Sequence, residues 1–258
     1  MLHDIAAKGF QAASESYERG RPDYPLDSVA QIVRQLELGA GRIVADVGAG
    51  TGKFTRMLLS SGAKVIAVEP VEAMRRKFSE ILPDIELKAG SAEAMPFEAG
   101  SIDAVVVAQA FHWFDIPKAL GEFHRVLKPG GRLGLVWNIR ETDSDLTIQM
   151  NQIIDAHEGN APRYRSGEWK RALSLSHLFS PAQAARFTHT QKGPVEMVVD
   201  RVLSISFIAA LSEAERETIR HEVLDLLSSH PATQKAAKEQ GEIELPYHTD
   251  VYWCSRRG

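Results

Sequence analysis

The 258-residue chain has a single cysteine, Cys254, so no internal disulfide can form, and no Cys/His cluster has zinc-site spacing. No metal is expected, Cys254 is expected to pack in the last strand, and a reducing, cytoplasmic setting follows. No run approaches the ~18 apolar residues of a membrane span, and the opening MLHDIAAKGF lacks the apolar centre of a secretion signal. Basic charge is not in excess either. The 30 Lys and Arg against 34 Asp and Glu leave a formal charge of -4, which supplies no overall pull toward nucleic acid or an anionic membrane. Internal repeats and low-complexity tracts are absent, which argues against a solenoid or a disordered chain. What is present is 44% hydrophobic residues over a length suited to one large domain with helical additions.

From residue 42 onward, short apolar runs alternate with helical periodicity, the pattern of βαβ units and a mainly parallel sheet. RIVADVG, KVIAVEP, IELKAG, SIDAVVVAQA and RLGLVWN read as five successive strands. Between them, Met74, Phe78, Ile81 and Leu82 form one helical face, and Asp115 caps a helix lined by Ile116, Leu120, Phe123 and Leu127. KPGG is expected to turn that helix into strand five. The alternation then stops. Residues 140 to 185 read as a mostly helical insertion with Tyr164 and Trp169 in polar surroundings, and 195 to 229 as a second one opened by a capping box from Ser212 to Glu215. RFTHTQ at 186 to 191 and TDVYWCSRR at the end can complete the sheet as an antiparallel pair.

One stretch is unusual. In VADVGAGTGKF, residues 44–54, a strand runs into Gly48, Gly50 and Gly52. Alternating glycines lose backbone entropy and pack nothing, so a tight turn or a close ligand must compensate. In a doubly wound sheet the first strand-to-helix turn lies where ligands bind, with free N–H groups at the following helix start. The spacing separates ligand classes. A dinucleotide fingerprint needs a small residue at 53, where Lys53 stands, and a phosphate-binding P-loop needs G-K-[ST], where G-K-F stands. Glu69, 21 residues after Gly48 at the end of strand two, can accept both hydroxyls of a ribose, so a nucleoside is implied.

DVGAGTGKFT, VEPVEAM, GSAEAMPFEAGSIDAVVVAQAFHWF and RVLKPGGRLGLVWN, in this order and spacing, resemble the class I S-adenosylmethionine-dependent methyltransferases of the methyltransferase type 11 group. The flanks YERGRPDYP and ELPYHTDVYW resemble the trans-aconitate methyltransferase-like subgroup. The resemblance implies a Rossmann-like doubly wound α/β fold: a mostly parallel seven-stranded sheet with helical insertions after strand 5 and before the last strand. It implies one methyltransferase domain over 1–258, made of an N-terminal helical cap (1–40), a cofactor-binding core (41–140), mostly helical insertions with one strand (141–240) and a final strand (241–258). It also implies S-adenosyl-L-methionine as cofactor. Asp46 and the backbone at Gly48, Gly50 and Gly52 would then face its methionine part, Glu69 would hold the ribose, and Pro70 and Met74 would contact the adenine. Ala92 and Glu93 would border the exocyclic amine, and Gln109 the methionine. Phe10, Ala13 and Tyr17 suggest an amphipathic N-terminal helix, from which Tyr17 and Arg21 would close over the cofactor.

Methyl transfer from a sulfonium needs alignment and shielding from water more than a fixed set of catalytic groups, and needs a base only where the acceptor must lose a proton. His112 in FHWFD is the candidate catalytic residue, placed to orient or deprotonate an acceptor, with Trp113 beside it and Arg140 available to an anionic acceptor. The expected partner is a small molecule methylated on a carboxylate or hydroxyl oxygen, with no nucleic acid and no membrane. The sequence also admits a nicotinamide-dependent oxidoreductase, against which Lys53 argues, and a non-catalytic S-adenosylmethionine-binding regulator.

Overall fold

The computed structural model describes residues 19–239 and 241–258. Seven strands form one sheet: β1 (Ile43–Val47), β2 (Lys64–Glu69), β3 (Glu86–Ala89), β4 (Ile102–Ala108), β5 (Leu127–Arg140), β6 (Gln183–Gly193) and β7 (Ile243–Ser255). Their order is β3-β2-β1-β4-β5-β7-β6. The first five strands pair in parallel, and β7 runs antiparallel between β5 and β6. The expected antiparallel pair is present and longer than its apolar pattern indicates, running from Gln183 opposite Trp253 to Gly193 opposite Ile243.

Helices α1 (Leu26–Gln35) and α2 (Thr55–Leu58) cover one face of the sheet, where Ile32, Phe54 and Leu58 pack against Val44, Ala104 and Val136. The other face buries Phe111, Leu120 and Phe123 against Val105 and Leu135, with Leu120 and Phe123 supplied by α4 (Ile116–Val126). α3 (Glu72–Ile81) turns Met74 and Phe78 inward. This two-sided cover is why the centre of β4 is a continuous apolar run rather than an alternating one. The KPGG segment is not a separate turn. It is absorbed as a bulge at the start of β5, where Ile102 pairs with Leu127 but Ala104 with Arg132, and Gly130 takes the left-handed conformation that the bulge needs.

The insertion after β5 contains α5 (Asp145–Asp155), a 3-10 turn (Tyr164–Ser166) and α6 (Glu168–Leu175). The one between β6 and β7 contains α7 (Val195–Leu203), α8 (Ser206–Ala209), α9 (Glu213–Ser229) and α10 (Pro231–Glu239), the last beyond the expected end at 229. Ser212 and Glu215 form the capping box of α9. Met150, Val198, Ile208, Ile219 and Val223 give the insertions a core of their own, which also takes in Trp113. The polar surroundings expected for Trp169 are corrected by the fold. Trp169 is 2% exposed, with ring centroids 4.3 Å from Trp137 and 5.5 Å from Tyr164. Its charged sequence neighbours lie on the outer side of α6, so local polarity misstates burial.

Candidate active site

The strand order reverses between β1 and β4, and a crevice opens outside their carboxyl ends, as expected at such a switch point. It consists of three adjoining cavities. The first encloses ≈ 640 Å³, mouth included, and is lined by Gly48, Gly50, Glu69, Pro70, Met74, Ala92, Glu93 and Gln109 among others. The second, ≈ 470 Å³, brings Arg21 to Asp46 and Gly48. The third, ≈ 1080 Å³, is lined by Arg21, His112, Trp113 and Arg140. Gln109 lines all three. Tyr17 lies outside the described residues.

The three glycines of the turn serve different purposes. Each has positive φ. A Cβ on Gly48 would lie 2.8 Å from Ala110 Cβ, and one on Gly52 would lie 2.6 Å from Leu82 Cδ1 and 2.9 Å from the Phe78 ring. These two are glycines for packing, and Gly52 does not line the crevice at all. Gly50 is different, because a Cβ there would meet no protein atom within 4 Å and the residue borders the first cavity. Its bare backbone leaves room for a ligand.

Two buried carboxyl groups flank this turn. Glu69 accepts the Gly50 N–H at 2.9 Å on Oε2 and the Val71 N–H at 2.8 Å on Oε1, which fixes its plane at the cavity wall while each oxygen keeps further acceptor capacity. Burial pushes its pKa up to about 7, against the lowering effect of those two N–H groups. Asp46 accepts from Thr55 Oγ1 at 2.6 Å on Oδ2, while Oδ1 is buried with no partner. Burial raises it to about 6. An orphaned carboxylate oxygen in a cavity of this size fits an ammonium group. Together with the open space at Gly50, it makes the residues fit S-adenosylmethionine: Asp46 for the ammonium, Glu69 for the ribose. Met74 is both core and wall, 2% exposed yet lining the first cavity. Glu93 also has a structural duty, since its Oε1 accepts the Asp115 N–H that opens α4.

Lys53, the residue that breaks the dinucleotide fingerprint, reaches back to the N-terminal segment. Its Nζ donates to the Arg21 carbonyl at 2.9 Å, and Asn138 Nδ2 donates to the Asp23 carbonyl at 3.1 Å. These two contacts hold residues 21 to 23 across the second cavity, and Arg21 Nη2 donates to the Ser204 carbonyl at 3.1 Å. Gln109 follows β4 with φ +62, an uncommon left-handed conformation for a residue with a side chain. Its N–H donates to the Val136 carbonyl and its Nε2 to the Asn138 carbonyl, so neighbouring β5 holds the strained residue in place.

In the third cavity, Trp137 Nε1 donates to His112 Nδ1 at 3.2 Å. Indole nitrogen only donates, so Nδ1 must be the bare nitrogen and Nε2 carries the proton. Burial, reinforced by the positive charges of Arg163 and Arg21, lowers the pKa of His112 to about 3. The ring is therefore a neutral N–H donor. Of the two roles expected for His112, orienting and deprotonating, this arrangement favours the orienting one, because its basic lone pair accepts from Trp137. Residues that the sequence reading passed over also line the crevice: Phe114 the first cavity, Tyr247 the second, Asn151 and Arg163 the third, and Arg201 both the second and third. Phe114 stands within the FHWFD stretch and Tyr247 within ELPYHTDVYW, but nothing local marks Asn151, Arg163 and Arg201, which come from the insertions.

A crevice at the switch point of this sheet is where doubly wound α/β proteins bind nucleotide-type ligands. The sequence model of the methyltransferase domain family matches residues 45–135. A methyltransferase-like protein of Schizosaccharomyces pombe is 34% identical over 257 residues, covering 98% of this chain and 97% of its own. Among solved structures, the YcgJ protein of Bacillus subtilis superposes with a TM-score of 0.59 at 19% identity, covering 90% of this chain and 99% of its own. Geranyl diphosphate C-methyltransferase of Streptomyces coelicolor, solved in complex with S-adenosyl-L-homocysteine, does so with a TM-score of 0.51 at 14% identity, covering 90% and 76%. The chain belongs to the class I S-adenosylmethionine-dependent methyltransferases, and S-adenosyl-L-methionine is its cofactor. No helix among the described residues is long and apolar enough to cross a membrane.

Proposed function

We propose that the protein transfers the methyl group to a carboxylate oxygen of a small-molecule acceptor held in the third cavity. One observation carries this reading. Among the described residues, five arginines and no Asp, Glu, Lys or Cys line that cavity, and the lone pair of His112 is taken by Trp137. Tyr164 offers no base either, since burial and its hydrogen bond to Asp250 push its pKa far up. A hydroxyl, phenol or ammonium acceptor would have to lose a proton with no base among the described lining residues to take it, but a carboxylate is ionised at neutral pH.

Bound S-adenosylmethionine supplies a methyl group on a sulfonium, which the acceptor oxygen takes as the carbon–sulfur bond breaks, leaving a methyl ester and a neutral thioether. The chain's own residues bind and align. Asp46 and Glu69 hold the cofactor's polar ends, the guanidinium groups hold the acceptor, and His112 Nε2–H and Gln109 orient it. Labelled-methyl transfer to a panel of carboxylic acids, phenols and amines tests this. Ester products cleaved by mild alkali are expected, and alkali-stable labelled ethers or amines would refute the carboxylate assignment.

A further inference from the structure

The second cavity is walled by two buried charges of opposite sign, each with an atom left over. On one side Asp46 Oδ1, in β1, has no partner. The other charge is Arg201, which comes from α7 in the insertion between β6 and β7 and is 9% exposed. Its Nε donates to the Tyr247 hydroxyl at 3.1 Å, and its Nη1 is buried without an acceptor. Among the described residues Arg201 has no carboxylate partner. The remaining cations of this cavity are engaged by the chain itself. Arg21 donates to the Ser204 carbonyl, and Lys53 to the Arg21 carbonyl and to Asp23 at 3.3 Å.

The place of Arg201 is well fixed. Gly20 packs on its backbone, where a Cβ would lie 2.4 Å from the Arg201 nitrogen, and the neighbouring Asp200 pairs with Arg19 at 2.7 Å. Its charge is felt by Arg140 and Arg163, whose pKa values burial lowers and Arg201 lowers further. A buried cation set among cations and steered only by a neutral hydroxyl is costly until an anion joins it. An amino-acid group, with an ammonium and a carboxylate on one carbon, answers both leftover charges of this cavity at once.

We infer that Arg201 is a cofactor-binding residue: its guanidinium takes the α-carboxylate of S-adenosylmethionine across the second cavity from Asp46, which takes the ammonium. Nothing in this seat depends on the chemistry of the acceptor. It does give the insertion a part in cofactor binding. Arg201 also lines the third cavity, as do Ile205, Ser206 and Phe207, which follow it in the chain. A carboxylate drawn to Arg201 therefore holds that wall too, and the third cavity is complete only once the cofactor has arrived.

The test is calorimetry on the full chain with S-adenosylhomocysteine and with its decarboxylated analogue, which keeps the ammonium, ribose and adenine. The wild type is expected to bind S-adenosylhomocysteine roughly tenfold or more tighter than the analogue, the size of a lost charge-assisted contact. Arg201→Gln is expected to lose that same factor for S-adenosylhomocysteine while its affinity for the analogue holds within about twofold, and Arg201→Lys to recover part of the loss. Hydrogen exchange read by mass spectrometry should slow across residues 195–209 of the wild type with S-adenosylhomocysteine, and less with the analogue. Equal wild-type affinity for the two ligands would overturn the carboxylate seat. An Arg201→Gln variant that weakens both ligands alike has lost structure only, and one that binds S-adenosylhomocysteine unchanged has no part in its seat; either result overturns the assignment. Exchange at 195–209 that does not respond to S-adenosylhomocysteine would overturn the link to the insertion. Both wild-type measurements keep their force if a variant fails to fold.

Discussion

The division of labour among the turn glycines makes a prediction that separates ligand contact from packing. Consider Gly50→Ala beside Gly52→Ala. Both positions have positive φ, +59 and +88, so each alanine incurs a left-handed penalty of about 1–2 kcal/mol. Reduced freedom of the unfolded chain offsets about 0.4–1 kcal/mol of it. At position 50 nothing further is expected, because the new methyl meets no protein atom within 4 Å. At position 52 the methyl drives into Leu82 and the fully buried Phe78, which adds an overpacking cost of about 1–3 kcal/mol. With roughly 2 °C per kcal/mol for a chain of this size, Gly50→Ala should lower the ligand-free Tm by roughly 2 °C and Gly52→Ala by roughly 4–8 °C. Affinity should separate them in the other direction. A methyl in the space left for the ligand brings the same ~1–3 kcal/mol of crowding into the complex, a loss of roughly 5- to 150-fold for S-adenosylhomocysteine by calorimetry. If Gly50→Ala binds within twofold of the wild type, no ligand approaches that backbone and the reasoning fails. If the two variants melt alike, the packing account of Gly52 fails.

Asp46 and Glu69 predict a pH signature. Their pKa values, about 6 and 7, lie above the ordinary 3.8 and 4.5, so the stability these groups leave intact at pH 4 is lost as pH rises through 6 to 7, by roughly 3 kcal/mol each at most. Thermal melts of the ligand-free protein should show that decline, and Asp46→Asn should flatten it. S-adenosylhomocysteine, whose ammonium and ribose favour the ionised carboxylates, should bind with release of protons at pH 6, and calorimetry in buffers of different ionisation heat would contradict this by finding uptake. For His112, the donor role predicts that His112→Gln, which keeps an N–H, retains more acceptor turnover than His112→Ala, with cofactor affinity unchanged in both. Equal loss of turnover in the two variants would restore the base assignment.

The meeting of Asp46, Glu69 and Gln109 in one crevice was legible because these residues are local to successive strand ends. Asp46 lies in β1, Glu69 ends β2 and Gln109 follows β4, and once the βαβ order is read these positions must meet at one edge. The reason for each glycine was less legible. A spacing pattern cannot tell a ligand from Phe78 and Leu82, which are distant in sequence and reach Gly52 only through α3. The same limit applies to Lys53, whose mismatch with a dinucleotide motif was visible but whose contact with the Arg21 carbonyl was not. Trp169 and Tyr164 failed for a related reason: their cover comes from Trp137 and Tyr252, on strands far along the chain.

The third cavity lies at the far end of this scale, and the reason bears on how the site works. Its wall is drawn from residue 21, the turn after β4, the end of β5, the 3-10 turn at 164–166 and the α7–α8 segment, pieces that no periodicity links. Sequence can announce a cofactor because one turn geometry suits it, whereas an acceptor is recognised by side chains whose meeting depends on the insertions. Trp113 lines both the first and third cavities while packing into the insertion core, and Gln109 borders all three from a strained backbone position. A strained residue persists only where its surroundings over-determine it. Here β5 does so through the Val136 and Asn138 carbonyls, and Asn138 in turn accepts from Thr249 of β7 at 2.5 Å and holds the Asp23 carbonyl. The position where the three cavities meet is thus tied to three separate parts of the chain. Under the proposed function, alignment for transfer, the main demand this chemistry makes of a protein, is met by the sheet, and the choice of acceptor falls to the insertions.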